Sequence, residues 1–168
     1  SLEVLSLSDN SLRELTKFPT FSNLTTLNLN FNQLTTLAPI SNCTNLEKLY
    51  ASTNKITNIA PLQPLVRLRT LSLYRNRLAS LDGCLDVLAN SFGLLEELDL
   101  GANPCATGPT YRHQLVQSLP TLVSLDGDSL TDLDRELAQN YYEQAATEAA
   151  ENEVLFAEVG RPGTAAAV

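Results

Sequence analysis

Histidine is nearly absent from this 168-residue chain, His113 being the single one. A metal site built on paired imidazoles is thereby excluded, and a lone His inside helical-looking sequence reads as a boundary residue of that helix. The phosphate and nucleophile patterns G-x-x-x-x-G-K-[ST], G-x-G-x-x-G and G-x-S-x-G are all missing. Glu96-Glu97 and Asp126-x-Asp128 are the densest acidic spots, but neither has the ligand spacing of a calcium loop, so both read as solvated charge. No apolar run approaches the ~20 residues of a membrane helix, and nothing at the start reads as a signal peptide. No enzyme, no metal, no cofactor and no membrane span is the expectation these absences set.

Charge is present but divided. Up to Leu81 there are eight basic and four acidic residues, and from Asp82 onward three basic and fifteen acidic, so +4 and -12 make the net -8. The positive balance is scattered and the acidic half would repel phosphate, which argues against a nucleic-acid partner.

What is abundant is Leu and Asn in one repeating frame. Leu2-Glu3-Val4-Leu5-Ser6-Leu7-Ser8-Asp9-Asn10-Ser11-Leu12 fits L-x-x-L-x-L-x-x-N-x-L, and the frame restarts at Leu24, Leu46, Leu68 and Leu95, spaced 22, 22, 22 and 27 residues. In x-L-x-L-x a short strand turns its leucines inward and the intervening side chains outward. Parallel strands from successive coils then stack into one curved sheet, with Asn10, Asn32, Asn54, Asn76 and Asn103 placed to satisfy backbone groups where each strand turns away. Leu15, Phe18, Phe21, Leu37, Ile40, Cys43, Ile59, Leu62 and Leu65 complete the core, and Pro39 and Pro61 share a convex position that needs no backbone donor. The five-residue delay before Leu95 reads as a short helix over Asp82–Asn90 on the convex side.

Cys43, Cys84 and Cys105 align with Leu, Ile or Phe of other coils, so they are core hydrophobes and not a disulfide framework. A reducing compartment follows, although N-x-T triplets at Asn23 and Asn42 point the other way. The chain starts at Ser1, with the frame already running at Leu2 and no polar cap before it, so a truncated N-terminus is expected.

After Asn103-Pro104 the frame gives way to Tyr111-Arg112, Leu119-Pro120-x-Leu122 and Leu125-Asp126-Gly127. Leu115, Val116 and Leu119 share one helical face, and Leu122 and Leu125 return as a strand-like piece covering the last coil. Thr131 and Asp134 can cap a further helix, along which Leu133, Leu137, Tyr141 and Ala145 recur every four residues, facing either the solenoid or a partner. Gly160-Arg161-Pro162-Gly163 ends it. The expected organisation is thus repeats over 1–103, a C-terminal cap over 104–127, an acidic, alanine-rich helix over 128–159 and a flexible tail over 160–168.

Repeats of this length followed by N-P…Y-R…L-P-x-L…L-D-G resemble the SDS22-like class of leucine-rich-repeat proteins with its C-terminal cap, over residues 2–127. The resemblance implies an α/β fold: a right-handed leucine-rich-repeat solenoid with a curved parallel sheet on its concave face, a helical cap and an appended helix. Similar proteins include the regulatory subunit of protein phosphatase 1, the A-prime protein of the spliceosome, axonemal dynein light chain 1, and leucine-rich-repeat subunits of the radial spokes and dynein regulatory complex. A non-catalytic scaffold is implied, one subunit of a larger hetero-complex. The trailing helix turns the expectation towards a ciliary (axonemal) or cytoskeletal assembly in the cytoplasm. The alternative is a subunit that binds a phosphatase catalytic domain, and a spliceosomal role would show as binding to an RNA-recognition domain.

The outward strand positions carry the binding expectation. Asn28, Asn30, Lys48, Tyr50, Ser52, Tyr74, Glu97 and Asp99 face out of the sheet, and Phe31 and Arg75 stand at its rim. Aromatic and arginine side chains on a rigid surface make the usual composition of a binding hot spot, here centred on Tyr50 and Tyr74 between Lys48 and Arg75.

Overall fold

A computed structural model of the chain describes residues 2–159, with side chains as far as residue 151. Strands β1 (Val4–Ser6), β2 (Thr26–Asn28), β3 (Lys48–Tyr50), β4 (Thr70–Ser72), β5 (Glu97–Asp99), β6 (Ser124–Leu125) and β7 (Asp128–Ser129) form one sheet in chain order. β1 to β6 are parallel, and β7 turns back antiparallel on β6. The register follows the repeat: Leu5, Leu27, Leu49, Leu71, Leu98 and Leu125 stand side by side, and from Leu27 onward each is buried. The backbone ladder runs past the strands, with Leu29 N–H donating to Tyr50 O at 2.7 Å and Thr53 N–H to Tyr74 O at 2.8 Å.

Where each coil leaves the sheet, one residue adopts the left-handed conformation: Asp9, Phe31, Thr53, Arg75 and Ala102 all lie at φ between 54° and 60°. This bend turns the next residue, the ladder asparagine, into the coil. Asn54 is typical. Its Nδ2 donates to Leu29 O at 3.0 Å and Ala51 O at 3.1 Å, and its Oδ1 accepts from Leu34 N–H at 3.0 Å. Asn32, Asn76 and Asn103 do the same for their coils, and all four are buried. Asn10 differs from the expected ladder: it is exposed and its Nδ2 donates only to Ser8 O, because no coil lies before it in these residues to be bridged. Among the described residues no buried side-chain nitrogen or oxygen is left without a partner.

The convex side is made of short 3-10 turns at Ala38–Ile40, Ala60–Leu62 and Pro104–Thr107, each entered by its proline. The longer fourth interval holds α1 (Leu81–Ser91), whose Ser80 Oγ accepts from Gly83 N–H at 3.2 Å and caps the helix start. Cys84, Val87 and Leu88 face inward from it. Cys43, Cys84 and Cys105 are all buried thiols, as their alignment with core hydrophobes requires.

α2 (Tyr111–Ser118) buries Tyr111, Leu115 and Val116, and Leu119, Leu122 and Leu125 close the end of the core. Asp126 (φ 53°) and Gly127 (φ 86°) are the two-residue loop between β6 and β7; positive φ at both is the geometry of a type I′ hairpin. α3 (Asp132–Val159) begins with a reciprocal cap: Thr131 N–H donates to Asp134 Oδ2 at 2.8 Å and Asp134 N–H to Thr131 Oγ1 at 3.3 Å. The helix docks on α2 mainly by residues off its leucine stripe, with Tyr141 at the boundary between the two. Arg112 Nε donates to Asp134 Oδ1 at 2.9 Å, Arg135 donates to Leu122 O, Ala138 is fully buried, and Tyr141 stacks on His113 at 5.4 Å. Leu133 and Leu137 stay outside. The helix stop expected at Gly160–Gly163 and the tail lie outside the described residues. Among the described residues no helix is long and apolar enough to cross a membrane.

Candidate functional site

The period of two puts one polar row per strand on the open face of the sheet, and the register stacks these rows into columns. Thr26, Lys48, Thr70, Glu97 and Ser124 form one column, and Asn28, Tyr50, Ser72 and Asp99 the next. The residues just beyond the strands, Asn30, Ser52, Tyr74 and Gly101, continue the face, and Phe31 and Arg75 follow them in the left-handed bend.

Several of these side chains are engaged within the sheet itself. Asn28 Oδ1 accepts from Asn30 N–H at 3.0 Å, and Asn30 Oδ1 accepts from Ser52 N–H at 2.7 Å. The hydroxyls of Ser52 and Ser72 share a hydrogen bond of 2.7 Å. Asn28, Asn30 and Ser52 therefore shape the face and hold its register more than they offer free groups. Thr70, expected to face outward, is buried, because the Glu97 side chain lies across it and accepts from its Oγ1 at 3.2 Å.

The remaining expected residues stand ready for contact. Phe31 is 58% exposed and Tyr74 44%, while Lys48, Arg75 and Glu97 are exposed and Tyr50 and Asp99 half-buried. Among the described residues only Arg69–Glu96 and Arg112–Asp134 are ion-paired, so Lys48, Arg75, Glu97 and Asp99 carry uncompensated charge. The ring of Tyr74 lies on Gly101, where an added Cβ would sit 3.2 Å from Cδ2 of the ring. A side chain there would make the ring give by a few tenths of an ångström. Tyr50 belongs to a different spot: it lines an open hollow of about 200 Å³ with Thr70, Ser72, Glu97, Asp99, Ser124 and Gly127.

That hollow lies towards the C-terminal end of the sheet and holds three of the expected residues, Tyr50, Glu97 and Asp99. Ser124 and Gly127 were missed as lining residues because the cap strand was read for its core leucines only. The available signal was Asp126-Gly127, the dipeptide that favours a tight hairpin and brings β7 up beside the face. The floor of the hollow is acidic under strain. Burial, followed by the neighbouring Asp126 carboxylate, pushes the Asp99 carboxyl above its usual range, against a lowering contribution from Gly101 N–H. Beneath it, the buried hydroxyl of Tyr111 donates to Asp126 Oδ1 at 3.1 Å, and burial pushes its pKa well above the usual tyrosine value. A cation arriving at Glu97 and Asp99 would relieve this crowding, and the Tyr50 ring flanks the position it would take. No group of three His, Cys, Asp or Glu side chains gathers among the described residues as a metal cage would need.

The repeats are recognised independently: the family model described as Leucine Rich repeats (2 copies) matches residues 1–42 and 22–64. No curated protein matches the chain at a significant level. Among solved structures, the Drosophila melanogaster SNF/U2A' complex contains a chain similar to this one at 25% identity and a TM-score of 0.75, covering 89% of this chain and 87% of that one. Internalin C2 of Listeria monocytogenes is similar at 26% identity and a TM-score of 0.62, covering 74% of this chain and 50% of that one. A leucine-rich-repeat protein of Leptospira interrogans is similar at 33% identity and a TM-score of 0.58, over 74% of this chain but 31% of that one. The parallel strands, curved sheet and convex turns are the leucine-rich-repeat solenoid fold. Proteins of this fold generally mediate protein–protein interactions, and such scaffolds are typically non-catalytic.

Proposed function

We propose that this chain is a non-catalytic scaffold that holds another protein on its concave sheet. The observation that carries the reading is the set of contact-ready side chains on the sheet face and its rim: exposed Lys48, Tyr74 and Arg75, and, lining the hollow, exposed Glu97 with half-buried Tyr50 and Asp99. Rings held by a rigid sheet lose little entropy on binding, and unpaired charges of both signs orient a partner along the face. The partner's basic group belongs over Glu97 and Asp99, and its acidic or polar group beside Lys48 and Arg75.

The finer assignment is to a structural subunit of a ciliary (axonemal) or cytoskeletal assembly, with a phosphatase-binding regulatory subunit as the alternative. A second reading competes with it. Repeats and cap end at Gly127, about three quarters of the 168 residues, whereas the similarity to the SNF/U2A' structure covers 89%, so it must run into α3. The trailing helix therefore does not single out a ciliary subunit, and a two-protein complex of the kind in which U2A' was solved is supported equally well. A cytoplasmic, reducing location is proposed from the three buried thiols.

The test is an affinity pull-down from native extract with wild type beside Tyr50→Ala/Tyr74→Ala, the fold of each checked by circular dichroism. Partners retained by wild type and lost from the variant support the concave face, and their identity chooses between the assemblies. Equal recovery by both proteins would refute it.

A further inference from the structure

The leucine stripe of α3 has no place in the reading above, and the docking of α3 leaves it uncovered. Leu133, Leu137 and Tyr141 are 60%, 48% and 38% exposed. They follow one another at four-residue steps, a run of about 12 Å along the helix. Singly exposed leucines are ordinary, but three large apolar side chains in a row on one helix edge are a contact surface. Tyr141 is also preorganised: its ring stacks on His113 with an interplanar angle of 20°, which fixes its orientation before anything binds.

The charge around the stripe states what would cover it. Asp132 and Glu136 are exposed beside Leu133 and Leu137, and exposed Glu148 and Glu151 lie further along the same side of the helix. The cations nearby are engaged: Arg112 holds Asp134, and Arg135 donates to Leu122 O. A second copy of the chain would bring the same acidic flanks against its own, and an anionic membrane would be repelled. Beyond Tyr142 every residue from Glu143 to Glu151 is exposed, so this stretch lacks support from the solenoid. An alanine-rich helix without tertiary support is marginal in water, and a helix packed along it would stabilise it.

We propose that the Leu133–Leu137–Tyr141 edge of α3 is a second docking surface, taking an amphipathic helix of a partner protein whose apolar stripe is flanked by Lys and Arg. The partner's leucine-type anchors pack between Leu133 and Leu137, and its cations meet Glu136 and Glu148.

The probe is a synthetic helix about three heptads long, with Leu on one face and Lys on the others, labelled for fluorescence anisotropy and titrated with the full chain at physiological salt. Wild type is expected to bind it, and Leu133→Ser/Leu137→Ser to weaken binding about tenfold or more. Glu136→Lys/Glu148→Lys should weaken it too and flatten its salt dependence, while Tyr74→Ala on the concave face leaves it unchanged. All these side chains are exposed, and circular dichroism verifies each fold. The proposal is overturned by equal binding to wild type and the serine variant, or by equally tight binding of a scrambled peptide of the same composition. Self-association of wild type that the serine substitutions abolish, seen by sedimentation, would overturn the basic partner in favour of a second copy.

Discussion

Asn54→Ala tests how the asparagine ladder holds the coils together. The four groups it serves are not equally dependent on it: Ser52 O keeps Phe31 N–H at 2.9 Å. Leu29 O keeps a second donor in Asn32 Nδ2 at 3.0 Å, and Ala51 O keeps Asn76 Nδ2 at 2.9 Å. Leu34 N–H has Asn54 Oδ1 alone and lies in the buried core. A single substitution therefore orphans one buried donor, at about 1–3 kcal/mol. Adding Asn32→Ala removes both donors from Leu29 O, a group neither single substitution orphans. The adjacent pair should thus cost more than the sum of its singles by a further 1–3 kcal/mol or so. Asn32→Ala with Asn76→Ala is the control: these two share no carbonyl, so their costs should add to within about 0.5 kcal/mol. Urea unfolding followed by circular dichroism, with m-values compared, gives all the terms. Additivity in the adjacent pair, or coupling as large in the control, would refute the shared-carbonyl argument.

Other expectations concern single positions. Thr53 is β-branched yet sits at φ 55°, so Thr53→Asn should stabilise the chain by roughly 0.5–1 kcal/mol in the same unfolding assay. Gly101→Ala would force the Tyr74 ring to shift, and should weaken partner binding as Tyr74→Ala does, while the melting temperature barely moves. The Arg112 side chain, followed by Thr131, holds the Asp134 carboxyl well below the usual range. A depressed pKa contributes stability present above the unfolded value of about 3.9 and lost as pH falls through the folded one. Docking of α3 should accordingly loosen in acid, read as hydrogen exchange of its first turns, and Arg112→Ala should loosen it already at neutral pH. Asp99 works in the opposite sense: its raised value favours the fold at low pH and opposes it as pH rises through the folded value. Asp99→Asn should therefore raise stability near neutrality while weakening the partner, and a parallel loss or a parallel gain of both would contradict this.

The repeat made most of the fold legible, because burial, strand and turn each have their own period in it. Leu27, Leu49 and Leu71, the buried thiols and the helix before Leu95 all follow from counting. Two things did not follow. One is the side on which α3 docks. Four-residue spacing advances about 400° around a helix, so the Leu133–Leu137–Tyr141 stripe drifts by about 40° a step. The docking side is decided by Arg112–Asp134 and the small Ala138, a polar pair and a methyl that carry no periodic signal. The other is the division of labour on the concave face. Outward position was legible, yet Thr70 is covered by Glu97, and Asn28, Asn30 and Ser52 are tied to their neighbours, which depends on cross-strand distances and not on local sequence. Tyr50 and Tyr74, two residues apart in the frame, end in separate surroundings for the same reason.

The central claim is that the partner lies against the concave sheet. Photo-cross-linking tests it most directly, with a photoreactive side chain carried either in place of exposed Tyr74 or in place of Gln63, exposed beyond the second convex turn. The account predicts that the partner recovered from extract is captured from position 74 and not from position 63. Capture from 63 alone, or equally from both, would contradict it.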